Sequence, residues 1–265
     1  MRERVRGFAV LIYGGISMVF FFLVSLPVMV VTRSGELPLW FARRAWGPSG
    51  LRVAGARVRA EPIPPLPDGP LIFASNHESA LDIWVHLAVL PRSFRFLAKQ
   101  ELFRIPIFGW YLRIGGHIPV DRQNRTRALE SLRRAAAAVR AGTSLVVYPE
   151  GTRSSDGHVL PFKKGPFAVA AEAGVPVVPV AISGSGRVTP TKRIAVAPGP
   201  IRIVVGQPVD PAAHPGKDAL LAEVRRRVIE LHRSIGGAGD DAVAPQHPTA
   251  AHGPLPAGER SDARA

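Results

Sequence analysis

The sequence of 265 residues contains no cysteine. A disulfide framework, a thiolate metal site and a cysteine nucleophile are therefore all excluded. Acidic residues are also scarce, because 20 Asp and Glu stand against 34 Lys and Arg, and the formal net charge is +14. A positive charge of this size suits anionic partners, which are nucleic acid, a phospholipid surface or phosphorylated substrates. The length is sufficient for one large domain with a sizeable core.

Two catalytic motifs are nearly present, and each lacks a residue. His77 and Glu78 would begin an H-E-x-x-H zinc site, but position 81 is Leu, so the second histidine ligand is missing. Residues 183–186, Ser-Gly-Ser-Gly, are close to the G-x-S-x-G elbow of serine esterases, but position 183 is Ser and not Gly. We therefore expect no metal at the site, and a membrane-anchored serine esterase remains an alternative.

A histidine and an aspartate, His77 and Asp82, lie five residues apart, directly after the apolar run 71–74. A histidine can accept a proton and an aspartate can orient its ring, so the pair supplies two of the three members of a catalytic triad. The apolar run predicts a strand, and α/β sheets bind their ligands where strands end. Because no protein nucleophile is evident, we expect a hydroxyl of the substrate to act as the nucleophile.

The first fifty residues are predicted to attach the protein to a membrane. Residues 8–31 carry no charge, and a helix of this length reaches about 36 Å, enough for a bilayer core. A signal peptide is the alternative, although its apolar core would be shorter. Pro27 is expected to kink or end the helix. Residues 37–46 have two tryptophans and a basic pair, so the N-terminus either spans the membrane once or forms a helix pair in one leaflet.

The rest of the chain predicts an α/β domain with a mostly parallel central sheet flanked by helices, because short apolar runs alternate with helical patterns. We predict a membrane-anchoring segment over 1–56, the α/β domain over 57–235 and a disordered tail over 236–265. Pro-rich residues 57–69 are predicted to form a linker. The predicted strands are 71–74, 94–98, 118–120, 145–148, 177–182 and 201–205. The predicted helices are 81–90, 125–141, 167–173 and 217–234.

Two further stretches place cations near turns. Residues 148–154 follow a predicted strand with a Pro-Glu-Gly turn, in which glycine lets a substrate approach closely and Arg153 can hold a phosphate. Lys163 and Lys164 stand just before a predicted helix, whose N-terminus also favours anions. Residues 99–122 interleave cations with large apolar side chains, which fits either a ligand with a phosphate head and an acyl tail or a membrane-facing edge. An incidental surface turn and ordinary core residues are the alternatives.

In this order, these stretches resemble the motifs of the glycerolipid acyltransferase family. The family's N-H-x-x-x-x-D motif matches residues 76–82, K-x-E-L…I-P-x-x-G matches 99–109, and G-x-I-x-x-D-R matches 116–122. The P-E-G-T-R-S motif lies in 148–154, and a late V-P-V motif matches 178–180. Single motifs are weak signals, but several in the correct order are strong. The departures are Tyr148, where Phe is common, and the variable positions Glu78 and Ala80.

The resemblance implies a membrane-bound acyltransferase that acylates the sn-2 hydroxyl of 1-acyl-glycerol-3-phosphate, giving phosphatidic acid. His77 would be the general base, with Asp82 orienting and stabilising it, in a direct transfer without an acyl-enzyme. Acyl-CoA or acyl carrier protein would be the co-substrate, and no cofactor is implied. The expected location is a membrane, the bacterial inner membrane, with the domain on its cytoplasmic side. The residues implied to bind substrate are Lys99, Arg122, Glu150, Gly151, Thr152 and Arg153.

Two other interpretations remain open beside the esterase. An acyltransferase of this kind could act on another lysolipid or on a glycolipid acceptor. A membrane-anchored protein could also use its basic surface on nucleic acid. We expect no nucleic-acid partner, because no zinc finger or RNP motif is present and the basic residues are interleaved with apolar ones. The expected partners are therefore a lysophospholipid, an acyl donor (acyl carrier protein where it serves as donor) and the phospholipid membrane.

Overall fold

The structure is a computed structural model that describes residues 1–32, 34–121, 124–190 and 194–240. The strands are β1 (Ala56–Ala60), β2 (Ile72–Ser75), β3 (Arg95–Lys99), β4 (Ile118–Val120), β5 (Leu145–Val147), β6 (Val177–Ser183) and β7 (Gly199–Val205). The helices are α1 (Arg2–Thr32), α2 (Glu36–Phe41), α3 (Gly47–Ala54), α4 (Leu81–Val89), α5 (Phe108–Ile114), α6 (Arg125–Arg140), α7 (Gly165–Ala173), α8 (Ser185–Val188) and α9 (Gly216–Ser234). A π-helical turn, Ala42–Trp46, joins α2 to α3.

The strands form one mixed sheet in the order β1-β7-β6-β2-β5-β3-β4. Strands β2 to β6 are parallel to one another. Strand β7 runs antiparallel to β6, and β1 pairs with β7 in parallel. The predicted α/β architecture with a mostly parallel sheet is therefore confirmed.

The central strands are buried throughout and mostly apolar because helices cover both faces of the sheet. Successive side chains of β2 point to opposite faces. Phe73 packs in the layer that includes residues of α3 and α4. Ile72 and Ala74 pack in the layer formed with α6, α7 and α9. This two-sided burial fixes the position of the strand end from which the residues around His77 continue.

Parallel strands bring several motif segments to one edge of the sheet. The carboxyl ends of β2, β5, β3 and β4 lie at the same edge, because these strands run in the same direction. His77 follows β2, Tyr148 follows β5, Lys99 ends β3, and Asp121 follows β4. Segments that are distant in the sequence therefore meet at one edge, which is called the carboxyl edge below.

The prediction that residues 57–69 form a linker is wrong for its first part. Residues 56–60 form β1, which pairs with β7 from Gly199 to Ile203. An edge strand with one apolar side needs few large apolar residues, so its sequence is hard to distinguish from a linker. The prolines begin only at position 62, after the strand has ended. Helices α5 and α8 are further elements absent from the prediction.

Helix α1 packs against the domain along its length. It continues through Pro27 and ends at Thr32. Near its start, the Val196 N–H donates to the Glu3 carbonyl at 3.0 Å. Further along the helix, the Phe22 ring packs edge-to-face against the ring of Tyr111 in α5, with the ring centroids 6.3 Å apart. The buried residues of α1 follow one stripe and are Gly7, Val10, Ser17, Phe22, Ser25 and Met29.

The first residues of the predicted tail are packed on α9. The Val159 N–H donates to the Gly239 carbonyl at 2.6 Å. The Asp240 carboxylate pairs with Arg225 and Arg233, at 3.1 Å in each case. Residues 241–265, on which the rest of the predicted tail falls, lie outside the described residues.

Candidate active site

His77 lies in a short loop between β2 and α4, residues 76–80, which we call the base loop. Asn76 holds the start of this loop against the neighbouring strand β6. Its side-chain N–H donates to the Ile182 carbonyl at 2.8 Å, and its side-chain oxygen accepts from the Ile182 N–H at 2.8 Å. Because both polar atoms of the Asn76 side chain bond to one backbone residue, the base loop leaves the carboxyl edge in a fixed direction.

His77 and Asp82 are in direct contact. His77 Nδ1 and Asp82 Oδ2 are 2.7 Å apart, and the same oxygen accepts from the N–H groups of Glu78 at 2.8 Å and Ser79 at 2.9 Å. A carboxylate only accepts hydrogen bonds, so Nδ1 carries a proton and Nε2 presents its lone pair. In the described part of the chain no residue hydrogen-bonds to Nε2. Asp82 is buried and the His77 side chain is 16% exposed, so Nε2 can reach a ligand.

Tyr148 covers one face of the His77 imidazole. The two rings are stacked, with centroids 3.9 Å apart and planes at 17°. Behind Tyr148, His86 Nδ1 donates to the Asp82 carbonyl at 2.7 Å and lies 3.2 Å from the Tyr148 hydroxyl. Burial lowers the pKa of His86 to about 4 and raises the pKa of Tyr148 well above its usual range. Both groups are therefore neutral. The His77 imidazole contacts the Asp82 carboxylate at its edge and the Tyr148 ring on one face.

Glu150 supports the base loop from below. The side chain is 3% exposed, and its Oε1 accepts from the His77 N–H at 3.2 Å. Its Oε2 is buried without a hydrogen-bond partner among the described residues. Burial raises the pKa of this carboxyl well above its usual range, although the N–H groups of His77 and Leu160 oppose the shift. The substrate-binding role implied for Glu150 stays a prediction, and its burial favours a role in positioning His77.

Glu78 ties the base loop to two later parts of the chain. Its Oε2 accepts from the N–H groups of Gly184 at 3.0 Å and Gly186 at 3.1 Å. Its Oε1 lies 3.2 Å from His232 Nε2 on α9. His232 Nδ1 accepts from the Gly239 N–H at 3.1 Å. Neutral His232 must therefore carry its proton on Nε2 and donate to Glu78.

The turn after β5 meets the base loop through its backbone. The Ser154 N–H donates to the His77 carbonyl at 2.7 Å, and the Gly151 N–H donates to the Tyr148 carbonyl at 3.0 Å. Gly151 has a φ of +74°, and a Cβ there would lie 2.9 Å from Lys163 Nζ. Glycine is needed at this position because any side chain would be strained and would displace the lysine.

The other predicted substrate-binding residues lie near the same edge. Thr152 and Arg153 are exposed on the turn after β5. Lys99 is half-exposed at the end of β3 and pairs with Glu101 at 3.1 Å. Arg122 lies outside the described residues. The structure therefore brings Lys99, Thr152 and Arg153 to the edge that carries His77, with their charged or polar ends open to solvent.

A cavity of about 250 Å³ lies beside the base. Tyr148 forms part of its wall and stacks on the His77 imidazole. Lys163 and Gly151 also line it, and most of the remaining wall is apolar. The apolar residues are Leu97, Val120, Ala128, Leu132, Val147, Pro149 and Pro166, and Asp121 adds one carboxylate to the wall. An apolar cavity next to a base and surface cations suits a ligand with an acyl chain and an anionic head.

The geometry does not favour a serine esterase. Ser185 is buried, and its hydroxyl lies 3.4 Å from the Glu78 carboxylate. Across the described ranges, no serine hydroxyl hydrogen-bonds to His77, which a serine–histidine pair requires. In the same ranges, no three His, Asp or Glu side chains are grouped so that they could share a metal ion.

Comparison with known proteins identifies the domain. The family model described as "Acyltransferase" matches residues 55–183. Residues 55–183 form an acyltransferase-family domain. This range contains the base loop, the turn after β5 and the strands that carry them, so the family match and the site coincide.

Relatives and a solved structure resemble the chain over a longer range. It is 37% identical to the chloroplastic 1-acyl-sn-glycerol-3-phosphate acyltransferase BAT2 of Brassica napus, over 63% of this chain and 47% of that protein. The corresponding Arabidopsis thaliana enzyme LPAT1 is 38% identical, over 63% and 46% of the two chains. The chain thus spans about half the length of these relatives. The crystal structure of the 1-acyl-sn-glycerophosphate acyltransferase PlsC from Thermotoga maritima matches with a TM-score of 0.77 and 29% identity. The match covers 88% of this chain and 96% of that chain.

Sequence reasoning passed over three residues that shape this site. Tyr148 counted only as a replacement for the usual Phe, and Glu78 only as a variable position. His232 belongs to no motif, and it lies 154 residues from the glutamate that it contacts. The available signal was chemical, since a glutamate directly beside a proposed base must be buried with a partner or turned to solvent.

Proposed function

We propose that the protein transfers a fatty acyl group from acyl-CoA or acyl carrier protein to the sn-2 hydroxyl of 1-acyl-glycerol-3-phosphate, giving phosphatidic acid. The observation that carries the proposal is the 2.7 Å contact between His77 and Asp82 beside an apolar cavity. The acceptor is suggested by the names of the plant relatives and of the T. maritima protein. No cofactor is needed for this reaction, and the acyl donor is a co-substrate.

In the proposed mechanism, His77 Nε2 takes the proton of the acceptor hydroxyl. The alkoxide oxygen bonds to the thioester carbonyl carbon, the carbon–sulfur bond breaks, and the imidazolium returns its proton to the thiolate. Asp82 stabilises the imidazolium while it is charged, and the Tyr148 ring face adds a favourable cation–π contact. General base catalysis of this kind contributes about 10²–10⁴ in rate. Positioning of the two substrates supplies much of the remainder.

The surroundings of the base supply a place for each end of the acceptor and donor. Lys99 and Arg153, with Lys163, offer cations at the carboxyl edge for the phosphate. The apolar cavity beside Tyr148 is the proposed site of an acyl chain. In this arrangement Gly151 and Thr152 line the path of the phosphate, whereas Glu150 acts on His77 from inside the fold.

Helix α1 is the proposed membrane attachment. Among the described residues it is the helix long and apolar enough to cross a bilayer. One stripe of α1 is buried on the domain from Gly7 to Met29, so the helix lies along the domain and does not project from it. This packing supports a helix pair in one leaflet over a single span. The outward face consists of Phe8, Leu11, Ile12, Ile16, Phe20, Leu23 and Val24.

The membrane in question is proposed to be the bacterial inner membrane, with the domain on the cytoplasmic side, where acyl-CoA and acyl carrier protein are expected. The two plant relatives are chloroplastic by name, so the location rests on the sequence-based expectation alone. Fractionation of the cell that produces the protein, followed by protease protection of the domain, tests it.

The activity is tested with the purified protein, a panel of lysophospholipids, and acyl-CoA or acyl carrier protein as donor. Mass spectrometry identifies the products. We expect phosphatidic acid from 1-acyl-glycerol-3-phosphate, and loss of turnover by about 10²–10⁴ in His77→Ala. His158→Ala is the matched control, because His158 also lies beside an aspartate but outside the base loop.

Three results would contradict the proposal. Near wild-type turnover in His77→Ala would exclude the base mechanism. Stable labelling by a serine-reactive fluorophosphonate would indicate an acyl-enzyme. A product formed only from another lysolipid or from a glycolipid would retain the mechanism and replace the acceptor.

A further inference from the structure

Residues 104–114, between β3 and β4, form a raised segment that we call the ridge. Its helix α5 turns two large apolar side chains and one arginine outward. Trp110, Arg113 and Ile114 lie at i, i+3 and i+4 and therefore share one face. Trp110 is 56% exposed and Ile114 is 40% exposed, while Leu112 is buried on the opposite side. A soluble surface would normally place polar residues at these outward positions.

The turn that leads into α5 is tight and strained. Ile107 has a φ of +65°, which is rare for a β-branched residue. The Phe108 N–H donates back to the Pro106 carbonyl at 2.6 Å. A Cβ on Gly109 would lie 2.1 Å from the Phe103 carbonyl oxygen, so the chain folds closely on itself here. Strain of this kind persists where the surrounding structure fixes the backbone, and it concentrates at functional segments.

The ridge continues the outer surface of α1 and α2. The rings of Tyr111 in α5 and Phe22 in α1 pack together with their centroids 6.3 Å apart. Gly35, just before α2, packs so closely on Gly115 that a Cβ would lie 2.6 Å from its carbonyl oxygen. Trp40 of α2 is 52% exposed and packs against Phe41, whose ring in turn lies 6.5 Å (centroid to centroid) from that of Phe21 in α1. The three helices therefore form one packed unit whose outward large apolar side chains include Phe20, Trp40 and Trp110.

Cations accompany the apolar side chains of the ridge. Arg113 lies between Trp110 and Ile114 on the exposed face of α5. Arg104 and Ile105 are both exposed on the preceding turn, and Ile105 is 46% exposed. Tryptophan with aliphatic side chains and arginines is the composition of segments at a membrane interface, where rings enter the headgroup level and cations meet phosphates.

We propose that the ridge inserts into the same phospholipid surface as α1 and holds the carboxyl edge of the sheet at the headgroup level. The inference rests on the proposed function, in which α1 lies in that surface. The ridge stands between β3, which ends at Lys99, and β4, so its insertion brings the phosphate-binding cations to the headgroups. The acceptor then meets His77 without leaving the membrane interface.

The absence of cysteine makes a site-specific test direct. Single variants Trp110→Cys, Phe20→Cys and Glu172→Cys are labelled with an environment-sensitive fluorophore and mixed with vesicles of phosphatidylcholine and phosphatidylglycerol. Phe20 reports on α1. Glu172 is the control, because its half-exposed side chain lies on α7, in the layer on the other face of the sheet from α3 and α4. We expect a blue shift and quenching by lipid-borne quenchers at positions 110 and 20, and neither effect at position 172.

Each other outcome decides against a stated part of the proposal. A label in lipid at position 20 but in water at position 110 would overturn the ridge alone. A label in water at both positions would overturn the membrane arrangement of α1 as well. Shielding of position 110 without vesicles, rising with protein concentration, would indicate a second copy of the chain and not a bilayer.

Activity measurements with two kinds of acceptor distinguish a membrane role of the ridge from a role in catalysis. The double variant Trp110→Ser, Ile114→Ser should lose roughly tenfold in kcat/KM toward an acceptor embedded in vesicles, because two apolar side chains no longer enter the interface. It should keep wild-type activity toward a short-chain acceptor that is monomeric in water. Equal loss with both acceptors would mean that the variant disturbs the fold and would overturn a membrane role for these side chains. Absence of activity in the wild-type protein would overturn the proposed function separately.

Discussion

Glu150 provides the sharpest test of how the base loop is held. The family resemblance implies contact with the substrate, whereas the structure shows a buried carboxylate that accepts from the His77 N–H. The two roles predict different kinetics. Glu150→Ala leaves that N–H without an acceptor and lets the base loop move, so kcat should fall. Loss of a substrate contact would instead raise the acceptor KM.

The expected size follows from the geometry. A displacement of the base by about 1 Å can cost about 10²-fold in rate, so we expect a 10- to 100-fold lower kcat in Glu150→Ala with little change in KM. Glu150→Gln keeps an oxygen for the His77 N–H and should retain most of the activity. Glu172→Gln on α7 is the matched control, because Glu172 is half-exposed and far from the base loop.

Stability supplies an independent measurement. Burial raises the pKa of Glu150, so the wild-type protein is penalised as pH rises above the ordinary glutamate value and through the raised one. Glutamine does not titrate and avoids this penalty. Each pKa unit of such a shift is worth about 1.4 kcal/mol. Glu150→Gln should therefore stabilise the fold at neutral pH by at least about 1 kcal/mol, and each kcal/mol corresponds to a Tm increase of roughly 2–4 °C for a chain of this size.

The assay compares thermal unfolding of the wild type and Glu150→Gln at pH 4 and at pH 7.5, together with steady-state kinetics of each variant. The difference in Tm should be present at pH 7.5 and vanish at pH 4, where both side chains are neutral. An equal difference at both pH values would refute the argument from burial. A tenfold higher acceptor KM with unchanged kcat in Glu150→Ala would refute the positioning role.

Substitutions at three further positions probe other parts of the site. Tyr148→Phe keeps the ring stacked on His77 and should stay within about threefold of wild-type kcat, whereas Tyr148→Leu should fall at least tenfold by the same assay. Arg153→Ala should raise the acceptor KM about tenfold at similar kcat, and the exposed control Arg133→Ala on α6 should not. Ala128→Phe narrows the apolar cavity, so competition between acyl donors of different length should shift toward shorter chains.

The sequence predicted the parts of the fold that are set by local pattern. Strands β2, β5 and β6 are continuous apolar runs, and α6 and α9 show helical periodicity with polar outer faces. These signals need no knowledge of distant contacts. Strand β1 could not be predicted from local pattern, because its pairing with β7 decides its conformation and that partner lies about 140 residues later in the chain. Helix α5 could not be predicted either, because its exposed apolar side chains have the same sequence pattern as core residues.

The site was predictable in its chemistry and not in its support. His77 and Asp82 are five residues apart, and a loop of that length can bring them together without help. The groups that hold the loop come from far away: Glu150 is 73 residues from His77, and Ile182 is 106 residues from Asn76. No periodicity records such pairs, because each depends on how the strands are ordered in the sheet.

The motif residues depend on parts of the domain that lie outside the family match. The family match ends at residue 183 and contains every motif residue up to that point. Glu78 nevertheless depends on Gly184 and Gly186, just beyond the match, and on His232 of α9. A buried carboxylate that lost these donors would be left unpaired next to the base, at a cost of several kcal/mol. The geometry of His77 is therefore a property of the whole domain through α9, although its chemistry is encoded within a few adjacent residues.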